Sequence, residues 1–370
     1  MNLFETLEDR GHEQIIFCAN KKAGLRAIIA IHNTTLGPSL GGCRLWDYKN
    51  EEAALEDVLR LSRGMTYKSA IAGLNLGGGK AVIMRDSKSI KTEELFRAFG
   101  RFVQSLGGRY ITAEDVGTSV RDMSWVHMET DFVTGIEPMH GGSGDPSPVT
   151  AHGVFCGIQA ALKWQFGSNS LKGKKIGVQG LGKVGMHLVD YLVKSESKIF
   201  VTDINDKKIK EAMDKYPMIT YLNKKDFFER EYDIYAPCAL GGVINAETID
   251  NLKCQIIAGC ANNQLLNEKE DIHLLKKRNI LYIPDFVINS GGLINVANEL
   301  SGYNREIAFK QTANIYNTVM QVLKISGKEN ITTLDAANKL ALNRINKIGN
   351  LKQSHLGVLL QKRGRGLDFY

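Results

Sequence analysis

The chain has no cysteine pair spaced as CxxC, no apolar run near the ~20 residues that cross a bilayer, and no dense Lys/Arg block interleaved with aromatics. These absences argue against a disulfide scaffold, a membrane span and nucleic acid as the main partner. The six cysteines (Cys18, Cys43, Cys156, Cys238, Cys254, Cys260) mostly sit in apolar runs, where a free thiol acts as a small hydrophobe. That usage suits the reducing cytoplasm. The first residues, MNLFETLEDRGHEQ, are acidic and lack the charged-then-apolar form of a secretory leader. Eight histidines include no HExxH or similar spacing, which argues against a catalytic metal. No internal repeat or low-complexity segment is present.

At 370 residues, 43% of them hydrophobic and 24% charged, the chain is a globular type too long for one core. Two domains are expected. The net charge of +7 is modest and suits anionic ligands. The most informative stretch is 65–83, MTYKSAIAGLNLGGGKAVI, with Lys68 and Lys80 on either side of Gly77, Gly78 and Gly79. Lys68 continues a stripe of Ala54, Val58, Leu61, Met65 and Ala72, whose spacing predicts the core face of a helix from Asn50 to about Ala72. An ammonium there needs a partner or a task. The plain alternative is that Lys68 snorkels out at the helix end and Lys80 lies on the surface.

Strands are expected at 13–18, 25–32, 81–84 and 109–112, with a helix at 92–106 and GGCRLW (41–46) as a lead-in to the helix at Asn50. Ala113-Glu114-Asp115 closes the strand at 109–112, at the carboxyl end where α/β sheets bind ligands. Asp115 serves equally as the N-cap of a helix starting near Ser119. HGGSGDPSP (140–148) reads as a loop at a domain junction, followed by a helix at 149–166.

Strand 174–179 then runs into Gly180-Leu181-Gly182-Lys183-Val184-Gly185. A lone GxGxxG is weak evidence. Here a helix to about Lys194 follows, then a strand at 198–202 ending in Asp203, the setting of a dinucleotide fingerprint. The glycines permit the tight turn, the helix N-terminus offers N–H groups to a pyrophosphate, and Asp203 accepts ribose hydroxyls, favouring NAD over NADP. A strand–turn–helix without a ligand is the alternative. Further strands are expected at 232–236, 255–258 and 279–283, and helices at 307–325 and 333–348, which pack back across one or both domains. The end, LQKRGRGLDFY, reads as a weakly ordered basic tail.

The segments GPSLGGCRLW, GMTYKSAIAGLNLGGGKAVI, RYITAEDVGT, DFVTGI, SPVTAHGV, VQGLGKVG, VTDIN, YAPCALGG, IIAGCANNQL and PDFVINSGGLINVANE, in this order, resemble the Glu/Leu/Phe/Val amino acid dehydrogenases, its leucine-specific members in particular. The resemblance implies an N-terminal α/β catalytic domain (1–136 with 331–370) and a doubly wound Rossmann NAD-binding domain (137–330) across a cleft. It implies a homo-oligomer and reversible NAD-dependent oxidative deamination of an L-amino acid to a 2-oxo acid and ammonia.

By the same resemblance Lys68 holds the substrate carboxylate, Lys80 is the catalytic lysine and Asp115 assists proton transfer. Asn262 stands near substrate and nicotinamide, Thr150 near the nicotinamide amide, and Cys238 and Ala239 join the cofactor side. Gly41 and Met65 join the substrate side, and Leu40, Ala113, Leu293 and Val296 line the side-chain pocket. The chemistry needs these types: a base of pKa near 7 to 8 to deprotonate water, a cation for the carboxylate, and an acid to exchange protons with nitrogen. The triple glycine is expected to let the backbone lie against the substrate. Leu40 stands where the family's glutamate dehydrogenases have lysine, so the pocket reads as apolar and leucine, isoleucine or valine as the substrate. Leu293, where leucine enzymes have valine, points to phenylalanine or tryptophan instead. Cys43 for threonine and Gly79 for alanine are further departures that remove no catalytic group. A silent NAD-binding sensor is the alternative of another class.

Overall fold

In the computed structural model, residues 2–85 and 90–354 are described, and the basic tail read at 360–370 lies outside them. The first domain runs α1 (Leu3–Arg10), β1 (Gln14–Asn20), β2 (Leu25–Asn33), β3 (Ser39–Trp46), α2 (Glu51–Ile71), β4 (Gly77–Met84), α3 (Glu93–Ser105), β5 (Tyr110–Glu114) and α4 (Val120–His127). Its sheet has the order β1-β2-β4-β3-β5, with β3 parallel to β4 and β5 and β2 antiparallel to β1 and β4. Local chemistry starts the helices: Asn50 caps α2 through the Ala53 N–H, and Thr92 caps α3 through that of Leu95.

Two expectations change here. GGCRLW is not a lead-in but the body of β3, paired on both edges. Glycine is poor in strands, yet here it admits neighbouring backbone: a Cβ on Gly41 would sit 1.7 Å from the Gly79 carbonyl oxygen. For the same reason β4 begins at Gly77 rather than Ala81.

The second domain follows with α5 (Ser147–Phe166), β6 (Lys175–Gln179), α6 (Lys183–Lys194), β7 (Lys198–Thr202), α7 (Asp206–Lys215), β8 (Thr220–Tyr221), α8 (Lys224–Glu229), β9 (Glu231–Pro237), α9 (Ala246–Asn251), β10 (Lys253–Ile257), α10 (Glu268–Lys277) and β11 (Leu281–Tyr282). The sheet order is β11-β10-β9-β6-β7-β8 and its strand pairs are parallel. This is the doubly wound Rossmann arrangement, with its switch point between β6 and β9. Ile176, Val178, Ile234, Ala236 and Ile256 are fully buried, as strands covered on both faces require.

The chain ends in α11 (Asp285–Ile288), α12 (Gly291–Ala297), α13 (Arg305–Ala313), α14 (Ile315–Glu329) and α15 (Thr333–Ser354). The helix expected over 307–325 is broken at Asn314, a residue type poorly suited to helix interiors, whose side-chain oxygen accepts from the side-chain amide of Asn317 at 2.9 Å. α15 returns to the first domain, where Arg344 donates to the carbonyls of Leu74 at 2.6 Å and Gly73 at 3.1 Å. The junction loop is tied down as well: the Glu299 carboxylate accepts from the backbone N–H of Gly135 at 2.9 Å and of Ser143 at 2.8 Å.

Candidate active site

α2 lies across β4, and Gly78 is where the two come closest. A Cβ on Gly78 would meet the Thr66 nitrogen at 2.0 Å, and one on Gly79 the Tyr110 ring at 2.8 Å. Ser69 donates to the Gly77 carbonyl at 3.1 Å, and Thr66 shares a 2.8 Å hydrogen bond with His32. Gly78 therefore admits helix atoms and Gly79 ring atoms, a packing need that the sequence reading did not foresee. The helix face changes too. Ala54 and Val58 are buried, but the buried face continues through Ser62, Thr66, Ser69 and Ala70, leaving Leu61, Met65, Lys68 and Ala72 half-buried along its border.

Lys80 leaves the middle of β4 with 7% of its side chain exposed, and its ammonium lies 2.9 Å from Asp115 Oδ2. Asp115 follows β5 and does not cap the next helix. Ser119 does, in a capping box with Asp122. Burial alone would raise the Asp115 carboxyl, but Lys80 and Arg44 together outweigh it and hold it below the usual carboxylate range. Lys68, in the last turn of α2, is pushed down to about 8, mainly by burial. The field of Lys80 adds to this, while those of Asp285 and Asp115 oppose it.

Leu40 on β3, Leu76, Ile111 on β5, and Leu293 and Val296 on α12 form one buried apolar cluster, with Met65 against it. Ala113, buried on β5, shares the face of Ile111 two residues on but lies outside that cluster. Gly41 accepts the Tyr110 hydroxyl at 2.7 Å through its carbonyl.

Across the cleft, Gly180 turns at φ 104°, and a Cβ there would strike Ala239 N at 2.8 Å, so the loop rests on Cys238 and Ala239. A Cβ on Gly185 would meet the Gly180 carbonyl oxygen at 2.1 Å, which seats α6 on the turn. Gly182, by contrast, faces open space at the N-terminus of α6. Leu181 is buried, Val184 packs on the core, and Lys183 reaches Asp145 at 3.3 Å. Asp203 ends β7, where its carboxylate accepts from Leu181 N–H at 2.6 Å and Asn205 N–H at 2.8 Å. Thr150 lies under the start of α12, 2.8 Å from where a Cβ on Gly292 would stand. Asn262 is exposed and accepts from the Asn289 amide at 2.8 Å. Open space at one glycine, a helix N-terminus and an acid at the next strand end fit a dinucleotide without a 2′-phosphate.

The model of the Glu/Leu/Phe/Val dehydrogenase dimerisation domain matches residues 12–132, and that of Glutamate/Leucine/Phenylalanine/Valine dehydrogenase matches residues 141–352. The chain belongs to this family. Leucine dehydrogenase of Bacillus cereus is 53% identical over 358 residues, 96% of this chain and 97% of its own. Leucine dehydrogenase of Geobacillus stearothermophilus is 51% identical over 371 residues, 99% of this chain and 100% of its own. The crystal structure of L-tryptophan dehydrogenase from Nostoc punctiforme superposes with a TM-score of 0.83 at 47% identity, covering 94% of this chain and 99% of that one. This member of the family is therefore an amino acid dehydrogenase, an enzyme of oxidative deamination.

Two charged residues of this dehydrogenase's cleft escaped the sequence reading. Asp285 heads α11 after β11 and accepts the N–H of Phe286 at 2.7 Å and of Gln264 at 3.3 Å. Burial raises its carboxyl, against the pull of those N–H groups and of Lys68. The signal was available, since Asp285, like Asp115, is an acid at the carboxyl end of a strand. Arg44 donates from Nε to Asp115 Oδ2 at 3.1 Å. It was hidden because GGCRLW was not read as a strand.

Proposed function

We propose that the enzyme carries out NAD-dependent oxidative deamination of a branched-chain L-amino acid, with leucine preferred and isoleucine and valine accepted. The observation that carries the side-chain assignment is Leu40, 1% exposed and packed with Leu293 and Val296 at the foot of the cleft. A distal carboxylate placed there would be buried without a partner, so glutamate is rejected. Residues 1–136 with 331–370 serve mainly the substrate and 137–330 mainly the cofactor, with Leu293 and Val296 of the latter lending the pocket two of its apolar side chains.

A bound nicotinamide would supply the acceptor for the hydride that leaves the substrate Cα. Lys68 holds the α-carboxylate. Lys80 takes a proton from the water that adds to the resulting iminium carbon, and Asp115 exchanges protons with the substrate nitrogen as ammonia leaves. The 2.9 Å contact between Lys80 and Asp115 supports this division, because the two groups share one proton-handling site. Gly180 to Gly185 hold the pyrophosphate, Asp203 the adenosine ribose, and Thr150, Cys238, Ala239 and Asn262 the nicotinamide end.

A panel of L-amino acids with NAD, followed by NADH absorbance, tests the assignment. Leucine is expected to turn over fastest, and preference for tryptophan or phenylalanine would overturn the pocket reading. That second reading draws on Leu293 and on the 47% identity to the L-tryptophan dehydrogenase. Lys80→Ala is expected to lower kcat by ~10³ or more while NADH still binds; wild-type-like turnover would sink the mechanism.

A further inference from the structure

Arg44 has no part in the roles above, yet it is the second cation on Asp115. Its Nε lies 3.1 Å from Asp115 Oδ2 and its Nη1 lies 2.9 Å from Asp57 Oδ2, so one guanidinium bridges two carboxylates. Asp57, on α2, also accepts the Tyr48 hydroxyl at 2.7 Å and Arg60 at 3.0 Å. These groups are largely out of water: 19% of the Arg44 side chain and 17% of that of Asp57 are exposed. The desolvation of such a network is offset only by close geometry and further hydrogen bonds, which Tyr48 and Arg60 supply at Asp57. Arginine usually meets a carboxylate with both arms. Here it offers Asp115 a single N–H, aimed at the same Oδ2 that lies 2.9 Å from the Lys80 ammonium, so both cations meet on one oxygen.

We infer that Arg44, braced by Asp57, is a positioning residue that holds Asp115 Oδ2 beside Lys80 and leaves Oδ1 to serve the substrate nitrogen. The inference rests on the role proposed above for Asp115. It separates two properties of Arg44, its charge and its reach. The charged and titratable groups around Asp115 are Lys80 from β4, Arg44 and the Cys43 thiol from β3, Lys68 from α2, and Glu114 and Tyr110 from β5, with Tyr48 and Asp57 behind Arg44. Only Lys80, Arg44 and Lys68 among these are cations. Removing Arg44 leaves burial less opposed, so the carboxyl takes up a proton at higher pH.

The test is the pH profile of kcat/KM for the preferred amino acid in Arg44→Met, Arg44→Lys and Asp57→Asn, with NADH affinity as the check on folding. Arg44→Met is expected to move the acid limb up by about one unit or more and to lower kcat/KM near neutrality about tenfold or more. Arg44→Lys restores the charge, so the limb returns toward wild type. Its kcat stays reduced, because a point-like ammonium does not bridge both carboxylates. Asp57→Asn keeps both cations on Asp115, so kcat falls with no upward movement of the limb. A folded Arg44→Met with wild-type limb and kcat would overturn the inference. Should that variant not fold, wild-type kcat in both Arg44→Lys and Asp57→Asn would overturn it instead. Asp115→Asn separates the two levels: wild-type turnover there removes the role proposed for Asp115 itself.

Discussion

Lys68 ends a helix whose carbonyls favour a cation, yet its ammonium stands among protein atoms and is pushed down to about 8. In the unfolded chain a lysine titrates near 10.5, so the fold disfavours the charged form and carries a penalty wherever Lys68 is protonated. That penalty is complete below about 8 and is relieved as pH rises toward 10.5. Lys68→Met is therefore expected to stabilise the enzyme at pH 7 by about 1–3 kcal/mol, an advantage that vanishes in alkali. The same variant is expected to raise KM for the amino acid about tenfold or more, as loss of a charge-assisted carboxylate contact requires. Urea midpoints at several pH values and steady-state kinetics check both, and equal stability at pH 7 would show that Lys68 carries no burial cost. The residue type and its apolar neighbours raised the question in the sequence. The partners that answer it, Lys80, Asp115 and Asp285, come from three other elements.

At the scale of elements, α2 and β4 show where pattern reading stops. Helical periodicity placed α2 within a residue of its ends, because Asn50 and the run of apolar residues act locally. Its buried face was only half legible, since Ser62, Thr66 and Ser69 look like solvent residues until the sheet comes against them, closest at Gly78 beside Thr66. Two substitutions separate these effects. Gly78→Ala must push α2 off β4 and is expected to cost about 3 kcal/mol or more, as overpacking against backbone does. Gly64→Ala, exposed within the same helix with nothing near its Cβ, is expected to gain up to about 1 kcal/mol. Denaturant midpoints read both, and a neutral Gly78→Ala would contradict the close packing. β3 was missed for a related reason: glycine lowers strand propensity, while its value here lies in neighbours that propensity does not see.

At the scale of the molecule, α15 joins the two domains. Arg344 donates to Leu74 and Gly73 carbonyls and to Asn75 Oδ1 at 2.8 Å, closing the turn between α2 and β4 from the far end of the chain. Arg344→Ala is expected to lower stability by about 1–3 kcal/mol, because it leaves these acceptors without their charged donor. A thermal-unfolding shift of several degrees should accompany an unchanged substrate preference. An unchanged midpoint would mean that α15 is held by its apolar contacts alone. The helix itself was legible in the sequence, but its docking site was not.

The sequence by itself determined the alternation of strands and helices, the GxGxxG turn with Asp203 eighteen positions on, and the lysines and acids the chemistry needs. Caps, turns and periodicity work over a few residues, and so they can be read along a chain. The tertiary structure decided which charges meet. It set Lys80 and Arg44 on one oxygen of Asp115, gathered Leu40 with Leu293 and Val296, and buried a polar helix face on glycines. Pairing and burial depend on distance through space, and sequence spacing does not fix that distance until the sheets have formed.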